Sequence, residues 1–206
     1  METPSSPPAV TVEMQAPVLI VRGLFLPDTC ARFIDFWEAS DKSAGVVVAQ
    51  GGLDATVKQE SKRRQDVFIP DGHPLVQEVA ASVSATIGPA VLAAFQFRIE
   101  VMEGVRIGCY DAAEQGYFRA HHDNTTPATE HRRFAITINL NTGDYQGGAL
   151  RFPDYGPQLY VPPVGGAVVF SCSLLHEVLP VTAGRRFGLF TFFSTEADEQ
   201  ARLQKT

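Results

Sequence analysis

Cysteine and tryptophan are scarce in this chain of 206 residues, and acidic residues outnumber basic ones. The three cysteines, Cys30, Cys109 and Cys172, are odd in number and far apart, so we predict buried thiols in a reducing compartment and no disulfide framework. Lysine and arginine number 17 against 23 aspartates and glutamates, a net charge of −6. This balance argues against a nucleic-acid partner, because such proteins normally carry a basic face.

Long apolar runs and a leader segment are also missing from the sequence. No apolar run approaches the roughly 20 residues that span a bilayer, so we expect no membrane partner. Residues 1–17 lack the basic start and apolar centre of a signal peptide, and we therefore expect a cytoplasmic protein. Fourteen phenylalanines and a hydrophobic fraction of 45% exclude a wholly disordered chain, and the length suits one globular domain.

Composition divides the chain into three parts. Residues 1–16, rich in proline and serine, predict a flexible tail. Residues 17–195 predict a single domain, with helical support over 17–96 and a β-rich core over 97–195 that includes one long β run over 97–110. The charged residues 196–206 predict a terminal helix or tail.

Two helices are predicted in the supporting part of the domain. One follows Pro27-Asp28-Thr29 and places Phe33 and Trp37 on one face. The other runs from His73-Pro74 to Phe95 and is interrupted near Gly88-Pro89. Between them, residues 50–64 contain Gly51-Gly52 and the basic run 62–64, which predicts either a lid over the substrate or an ordinary flexible loop.

One predicted strand, 133–141, has two different faces. Phe134, Ile136, Ile138 and Leu140 alternate with Ala135, Thr137 and Asn139. An apolar face covered by helices and a polar face lining a cavity would produce this alternation, and so would a surface strand with one solvated face. Several short strands after helices favour a β-sandwich or barrel with helices packed on one sheet.

Two histidines and one aspartate form a candidate metal site. His121 and Asp123 are two residues apart on a predicted strand, so their side chains point to the same side. This short motif is common by chance, but His176 follows behind an apolar strand at 166–170. Two histidines and a carboxylate on one face of a metal are the ligand set of the non-haem Fe(II) oxygenases.

Arg186 lies on a predicted inward face together with Gly188, Phe190 and Phe192. An arginine on an apolar inward face is costly unless an anion pairs with it, and a co-substrate carboxylate would be such an anion. The alternative is that Arg185 and Arg186 both lie at the surface of a turn.

The stretch 106–193 resembles the catalytic core of the Fe(II)/2-oxoglutarate dioxygenases, specifically their prolyl 4-hydroxylase-like branch. The pieces that carry the resemblance follow one another in family order: Cys109-Tyr110, Gly116-Tyr117, His121-x-Asp123, GGALRFP at 147–153, GGAVVF at 165–170, His176, Pro180-Val181-Thr182 and Arg186. The resemblance implies a mostly β protein with supporting helices, a double-stranded β-helix (jelly roll) whose N-terminal helices pack on the larger sheet.

The same resemblance implies the site and its cofactors. His121, Asp123 and His176 would bind Fe(II), and Arg186 would bind the distal carboxylate of 2-oxoglutarate. The co-substrate pocket would be completed by Tyr110, Thr137 and Asn139, the last of which stands where close relatives often have a tyrosine. O2 would be the second co-substrate, with ascorbate as an auxiliary reductant. Arg106 shares the face of Tyr110 and could reach the mouth of the substrate pocket.

The implied activity is hydroxylation of an unactivated C–H bond in a peptidyl, protein or small amino-acid-like substrate, with decarboxylation of 2-oxoglutarate to succinate and CO2. Two alternatives stay open: a nucleic-acid or small-molecule demethylase of the same superfamily, and a non-catalytic β-barrel binding module. The sequence does not select among individual substrates or specify an oligomeric state.

Overall fold

The computed structural model describes residues 15–45, 47–48, 55–56 and 60–204. Most of the tail predicted over 1–16, and most of the lid or loop predicted over 50–64, therefore lie outside the described residues. Ala16, at the end of the predicted tail, is buried against one of the two apolar clusters of the core.

The described regular structure is mostly β, with few helices. The strands in chain order are β1 (Leu19–Val21), β2 (Ser43–Ala44), β3 (Val47–Val48), β4 (Ala55–Thr56), β5 (Lys62–Arg63), β6 (Gln65–Phe68), β7 (Val101–Met102), β8 (Arg106–Asp111), β9 (Tyr117–His121), β10 (Phe134–Asn139), β11 (Gln146–Gly147), β12 (Leu150–Arg151), β13 (Leu159–Tyr160), β14 (Ala167–Ser171), β15 (His176–Val178), β16 (Val181–Ala183) and β17 (Arg185–Ser194). The β run predicted over 97–110 is thus two strands, β7 and β8, with Gly104 between them.

Two antiparallel sheets carry most of the strands. The larger sheet has the order β1-β14-β10-β17-β8-β6-β2, with β7 added beside β17, and the smaller has the order β13-β12-β15-β9-β5. Two further pairs, β11 with β16 and β3 with β4, stand apart. From β8 onward the chain alternates between the sheets: β8, β10, β14 and β17 lie in the larger one, and the intervening β9, β12, β13 and β15 lie in the smaller one.

Four α-helices accompany the sheets in the described part of the chain: α1 (Pro27–Ala39), α2 (Pro74–Ser82), α3 (Gly88–Phe95) and α4 (Glu196–Leu203). Proline begins α1 and α2, where its missing N–H costs nothing. His73 caps α2, because its Nδ1 accepts a hydrogen bond from the Leu75 amide at 3.2 Å. Thr195 and Asp198 form a reciprocal capping box at the start of α4.

The α-helix is interrupted next to Gly88-Pro89 as predicted, but by a π-helical turn and not by a break in the helical hydrogen bonding. A π-helical turn, Val83–Ile87, joins α2 to α3, and the Gly88 amide donates to the carbonyl of Val83 five residues earlier. The wider turn is compatible with Pro89, which sits at the start of α3, where no intrahelical donor is required.

The helices α1, α2 and α3 pack on one face of the larger sheet. Their buried residues recur at helical spacing, and they join the first apolar cluster of the core together with the apolar face of β10: Cys30, Phe33, Trp37, Leu75, Val79, Val83, Ile87, Val91, Phe134, Ile136 and Ile138. Ala135 belongs instead to the second apolar cluster, which lies on the opposite side of that sheet. The predicted division of β10 into a helix-facing and a cavity-facing side is confirmed.

The helical stretch Pro74–Phe95 corrects the sequence argument about apolar length. It has 22 residues, and its most apolar part has a mean hydropathy of 1.5, so length and composition alone would allow it to cross a membrane. The sequence argument missed this stretch because isolated serines, glycines and prolines interrupt the apolar run, although they lower its mean hydropathy only a little. Leu75, Val79 and Val83 nevertheless bury one stripe of this helix in the core that it shares with the sheet.

Candidate active site

His121, Asp123 and His176 converge at the smaller sheet. His121 ends β9 and His176 begins β15, and the two residues are paired across these neighbouring strands. Asp123 lies just beyond the end of β9 rather than on it, where its amide donates to the Cys172 carbonyl at 3.0 Å. The distance from Asp123 Oδ1 to His121 Nε2 is 3.4 Å, and that from Oδ2 to His176 Nε2 is 3.3 Å.

Backbone carbonyls fix the tautomers of both histidines. His121 Nδ1 lies 2.8 Å from the Arg119 carbonyl, and His176 Nδ1 lies 2.9 Å from the Leu174 carbonyl. Because a carbonyl only accepts hydrogen bonds, each Nδ1 must carry the proton, which leaves each Nε2 lone pair directed towards Asp123. This is the arrangement by which histidine ligands are oriented in metal sites.

The electrostatics of the triad suit a cation. Burial lowers the pKa of His176 to about 4, against a smaller opposing effect of Asp123, so its imidazole is neutral at pH 7. Burial alone would raise the pKa of Asp123, but the adjacent His176 and His121 outweigh it and hold that pKa below its usual range. A neutral imidazole and an ionised carboxylate are the ligand forms that metals require. The possible ligand atoms of the three residues lie within 4.8 Å of one another.

Aromatic rings form the walls around the triad. Phe118 stacks on His121 with ring centroids 3.5 Å apart, and Phe170 meets His176 edge-on at 4.6 Å. The pocket continues along the apolar side chains of Leu150 and Phe192. These rings pack directly against the two imidazoles and so hold them in place.

Arg186 is fully buried on β17, with only 2% of its surface exposed. Its Nη2 donates to Asn139 Oδ1 at 2.9 Å, and its guanidinium lies 5.2 Å from the ring centre of Tyr110. Among the described residues, its Nε and Nη1 have no hydrogen-bond acceptor. A buried guanidinium with two unsatisfied donors fits the carboxylate of a diacid such as 2-oxoglutarate. The alternative that both arginines lie at the surface of a turn is therefore excluded for Arg186, whereas Arg185 is exposed.

Gly148 is what allows Arg186 to lie where it does. This glycine has a φ of +64°, and a Cβ built on it would stand 2.8 Å from Arg186 Cδ. The Gly-Gly pair of the GGALRFP segment therefore has a packing role beside the buried arginine.

The predicted co-substrate residues play different parts. Thr137 lines the pocket of the triad, and its buried Oγ1 has no hydrogen-bond partner among the described residues. Asn139 orients Arg186 through its Oδ1, while its Nδ2 donates to Thr142 and Tyr145. Tyr110 is also on the pocket wall, and its hydroxyl accepts from Arg64 Nη1 at 3.1 Å.

A buried ion cluster beside Tyr110 was missed by the sequence reasoning. Lys62 and Arg64, assigned to the loop or lid, are 3% and 8% exposed, and Asp66 is 2% exposed. Asp66 accepts two hydrogen bonds from Arg64, and Lys62 Nζ lies 3.3 Å from Asp66 Oδ2. The only available signal was the charged run 62–64 followed by Asp66, which is equally typical of a solvated segment.

Other polar residues near the triad have structural contacts. Asn124 donates to Ser173 Oγ at 2.9 Å. His131 is 7% exposed, and its Nε2 lies 2.9 Å from Glu103 Oε1. Arg132 pairs with the same carboxylate through two hydrogen bonds of 2.6 and 2.7 Å.

A family model and individual sequences both relate this chain to oxygenases and hydroxylases. The sequence model of the 2OG-Fe(II) oxygenase superfamily matches residues 105–194. A PKHD-type hydroxylase from Pseudomonas fluorescens is 28% identical over 188 residues, covering 87% of this chain and 78% of the relative. A second, from Pseudomonas putida, is 29% identical over 199 residues, covering 92% of this chain and 82% of the relative.

Solved structures show the same fold. A prolyl-4-hydroxylase from Pseudomonas putida superimposes with a TM-score of 0.69 and 19% identity, over 88% of this chain and 94% of that one. A prolyl hydroxylase from Trichoplax adhaerens, in complex with a hypoxia inducible factor peptide fragment, superimposes with a TM-score of 0.71 and 15% identity, over 92% and 87% of the two chains. Residues 105–194 thus match the 2OG-Fe(II) oxygenase superfamily, and the chain is similar in sequence to PKHD-type hydroxylases and in fold to prolyl hydroxylases.

Proposed function

We propose that this protein hydroxylates an unactivated C–H bond of a peptidyl, protein or small amino-acid-like substrate while 2-oxoglutarate is decarboxylated to succinate and CO2. One observation carries the proposal: His121, Asp123 and His176 converge in an aromatic pocket, and a buried Arg186 with unsatisfied donors lies on the adjoining sheet. Fe(II), which the superfamily implies, would supply the oxidative chemistry when it is bound.

We assign the iron ligands to His121 Nε2, His176 Nε2 and an Asp123 carboxylate oxygen. The donor set supports this assignment, because two neutral imidazoles and one carboxylate bind Fe(II) and leave further coordination positions open. The contribution of the protein is to fix the tautomer of each imidazole through a backbone carbonyl and to keep Asp123 ionised.

We assign the distal carboxylate of 2-oxoglutarate to Arg186. Its free Nε and Nη1 would form charge-assisted hydrogen bonds to that carboxylate, and Thr137 Oγ1 offers a further donor on the pocket wall. Asn139 acts as a positioning residue for the guanidinium, and Tyr110 covers one of its faces.

The finer features of the fold belong to the same proposal. The alternation of successive strands between two antiparallel sheets supports a double-stranded β-helix over 97–195, within a single domain that extends over 17–195. Cys30, Cys109 and Cys172 are buried and unpaired, which supports a reducing, cytoplasmic location.

The structural neighbour from Trichoplax adhaerens supports a peptidyl substrate, because that enzyme was solved with a peptide fragment bound.

The test is succinate release by the purified chain with Fe(II) and 2-oxoglutarate under air. We expect succinate with the wild-type protein, stimulation by accepted substrates, and no succinate with His176→Ala. A product heavier by one oxygen atom supports hydroxylation, whereas loss of a methyl group would identify a demethylase instead. If the folded protein binds Fe(II) and 2-oxoglutarate but releases no succinate with any substrate, it is a binding module and the proposal is wrong.

A further inference from the structure

Arg106 projects into the same pocket as the triad. It begins β8 and pairs with Phe190 on β17, which in turn pairs with Thr137 on β10. Arg106, Thr137 and Phe190 therefore form one cross-strand row on the cavity face of the larger sheet, and all three line the pocket that contains Asp123. The Arg106 side chain is partly buried.

Two neighbouring arginines, Arg64 and Arg132, are engaged by partners of the chain itself. Arg64 pairs with Asp66, and Arg132 pairs with Glu103. Arg106 differs: within the part of the chain that the structure describes, its contacts are the rings of Phe68 at 5.8 Å and Phe192 at 5.1 Å, and it makes no ion pair with a carboxylate.

Burial of the positive charge of Arg106 is energetically unfavourable. Burial, and secondarily the cation of Arg64, lower the pKa of Arg106 to about 10. A cation in this position is disfavoured in the folded state unless an anion joins it. Phe192 and Leu150 beside it are apolar, and the carboxylates of Asp66 and Asp123 act on it without forming an ion pair and do not offset the effect of burial. The anion of a bound molecule would therefore complete the pairing.

Arg106 and Arg186 lie at different positions along the larger sheet. Arg186 pairs across the strands with Tyr110, which is four residues from Arg106 on β8. Four residues along a strand correspond to about 13 Å, so the two arginines extend from distant points of the wall. Arg186 is hydrogen-bonded to Asn139, whereas the charge of Arg106 is close enough to Asp123 to interact with it.

We propose that Arg106 binds a carboxylate of the primary substrate, and hence that the substrate is an acid: an amino-acid derivative or a peptide whose carboxylate lies near the C–H bond to be hydroxylated. This inference rests on the proposed function. The apolar rings beside Arg106 would contact the aliphatic part of such a substrate, and the single cation would fix its direction relative to the triad. The carboxylate can be a chain terminus or an acidic side chain, which share the same chemistry.

The experiment measures binding of matched probe pairs to the chain loaded anaerobically with Fe(II) and 2-oxoglutarate. One pair is N-acetyl-L-proline and N-acetyl-L-prolinamide, which tests a terminal carboxylate. The other is the α-amide of N-acetyl-L-glutamate and that of N-acetyl-L-glutamine, which tests a side-chain carboxylate. We expect the acid of at least one pair to bind about ten to a hundred times more tightly than its amide.

The variants assign that preference to Arg106. We expect Arg106→Gln to abolish it, Arg106→Lys to retain part of it, and the exposed control Arg22→Gln to leave it unchanged. The proposal is overturned if neither acid is preferred by the wild-type protein, or if the preference survives in Arg106→Gln. It is also overturned if Arg106→Gln weakens 2-oxoglutarate binding as much as Arg186→Leu does, because Arg106 would then belong to the co-substrate site.

Failure of the proposed function looks different from failure of this inference. A wild-type protein that releases no succinate with Fe(II) and 2-oxoglutarate counts against the proposed function, whatever the probes do. A protein that releases succinate but does not discriminate acid from amide counts against the assignment of Arg106 alone.

Discussion

Replacing Asp66 with asparagine tests the buried ion cluster on the pocket wall. Asp66 is 2% exposed and accepts hydrogen bonds from Arg64, with Lys62 Nζ at 3.3 Å. Asparagine keeps the shape but removes the charge, so the Arg64 guanidinium stays buried without a carboxylate. Breaking a buried pair in this way costs about 3–5 kcal/mol, a large part of the roughly 5–15 kcal/mol by which domains are stable.

The pKa of Asp66 gives an independent estimate of the same interaction. Burial alone would raise this pKa, but Arg64 and Lys62 outweigh burial and lower it to about 2 from the ordinary 3.8. A shift of that size corresponds to about 2 kcal/mol. Because the folded-state pKa is the lower one, this stability is fully present above about pH 4 and is lost as the pH falls towards 2.

Urea unfolding of Asp66→Asn at pH 7 measures the loss, with the exposed Asp71→Asn as a matched control that should change little. The difference between wild type and Asp66→Asn should shrink as the pH approaches 2, because the wild-type carboxylate is then protonated as well. A loss below about 1 kcal/mol at pH 7 is what an exposed pair would give, and it would refute the buried cluster.

Three further predictions concern the metal, the co-substrate and a second carboxylate. His176→Ala should reduce the Fe(II) affinity by more than about a hundredfold in an anaerobic titration. Loss of a residue that only hydrogen-bonds to a metal ligand already costs up to about that factor, and loss of a ligand should cost more. An unchanged affinity would show that His176 is not a ligand. Arg186→Leu should weaken 2-oxoglutarate binding on the order of a hundredfold without a comparable change for Fe(II), whereas the exposed neighbour Arg185→Leu should leave both unchanged. Glu103, whose pKa is lowered to about 2 because His131 and Arg132 outweigh the opposing effect of burial, should stabilise the fold above about pH 4.5 and progressively less below it. Glu103→Gln should therefore lower the free energy of unfolding at pH 7 by about 2 kcal/mol and by less at pH 3, and an equal loss at both pH values would contradict this.

Local sequence patterns were sufficient to predict which faces of individual strands and helices are buried. The alternation in 134–140 predicted the two faces of β10 because side chains in a strand change sides at every residue. The spacing of Phe33 and Trp37 predicted the buried stripe of α1 for the corresponding helical reason. Gly88-Pro89 predicted the interruption of the α-helix, but not its form, because the π-helical turn that precedes the proline has no clear sequence signal.

The buried ion cluster could not be predicted because it depends on a residue in another strand. Gly108 pairs with Asp66 across the sheet, and a Cβ at Gly108 would stand 2.6 Å from Arg64 Cδ and 2.8 Å from Asp66 Oδ1. Only the missing side chain of Gly108 makes room for the pair inside the pocket. Charged residues at alternate positions otherwise predict a solvated face.

The sequence by itself determined the chemical types at the centre of this protein: two histidines and an aspartate, in the order and context of an Fe(II) oxygenase, followed by an arginine on an inward strand face. Those features are local, since strand periodicity and short motifs are read within a few residues. The tertiary structure alone decided which charges find partners. Pairing across strands engages Arg64 with Asp66 and Arg132 with Glu103. Among the described residues, it leaves Arg106 in the pocket without a carboxylate partner and two nitrogens of the buried Arg186 without an acceptor, because such pairing joins residues that are far apart in the chain.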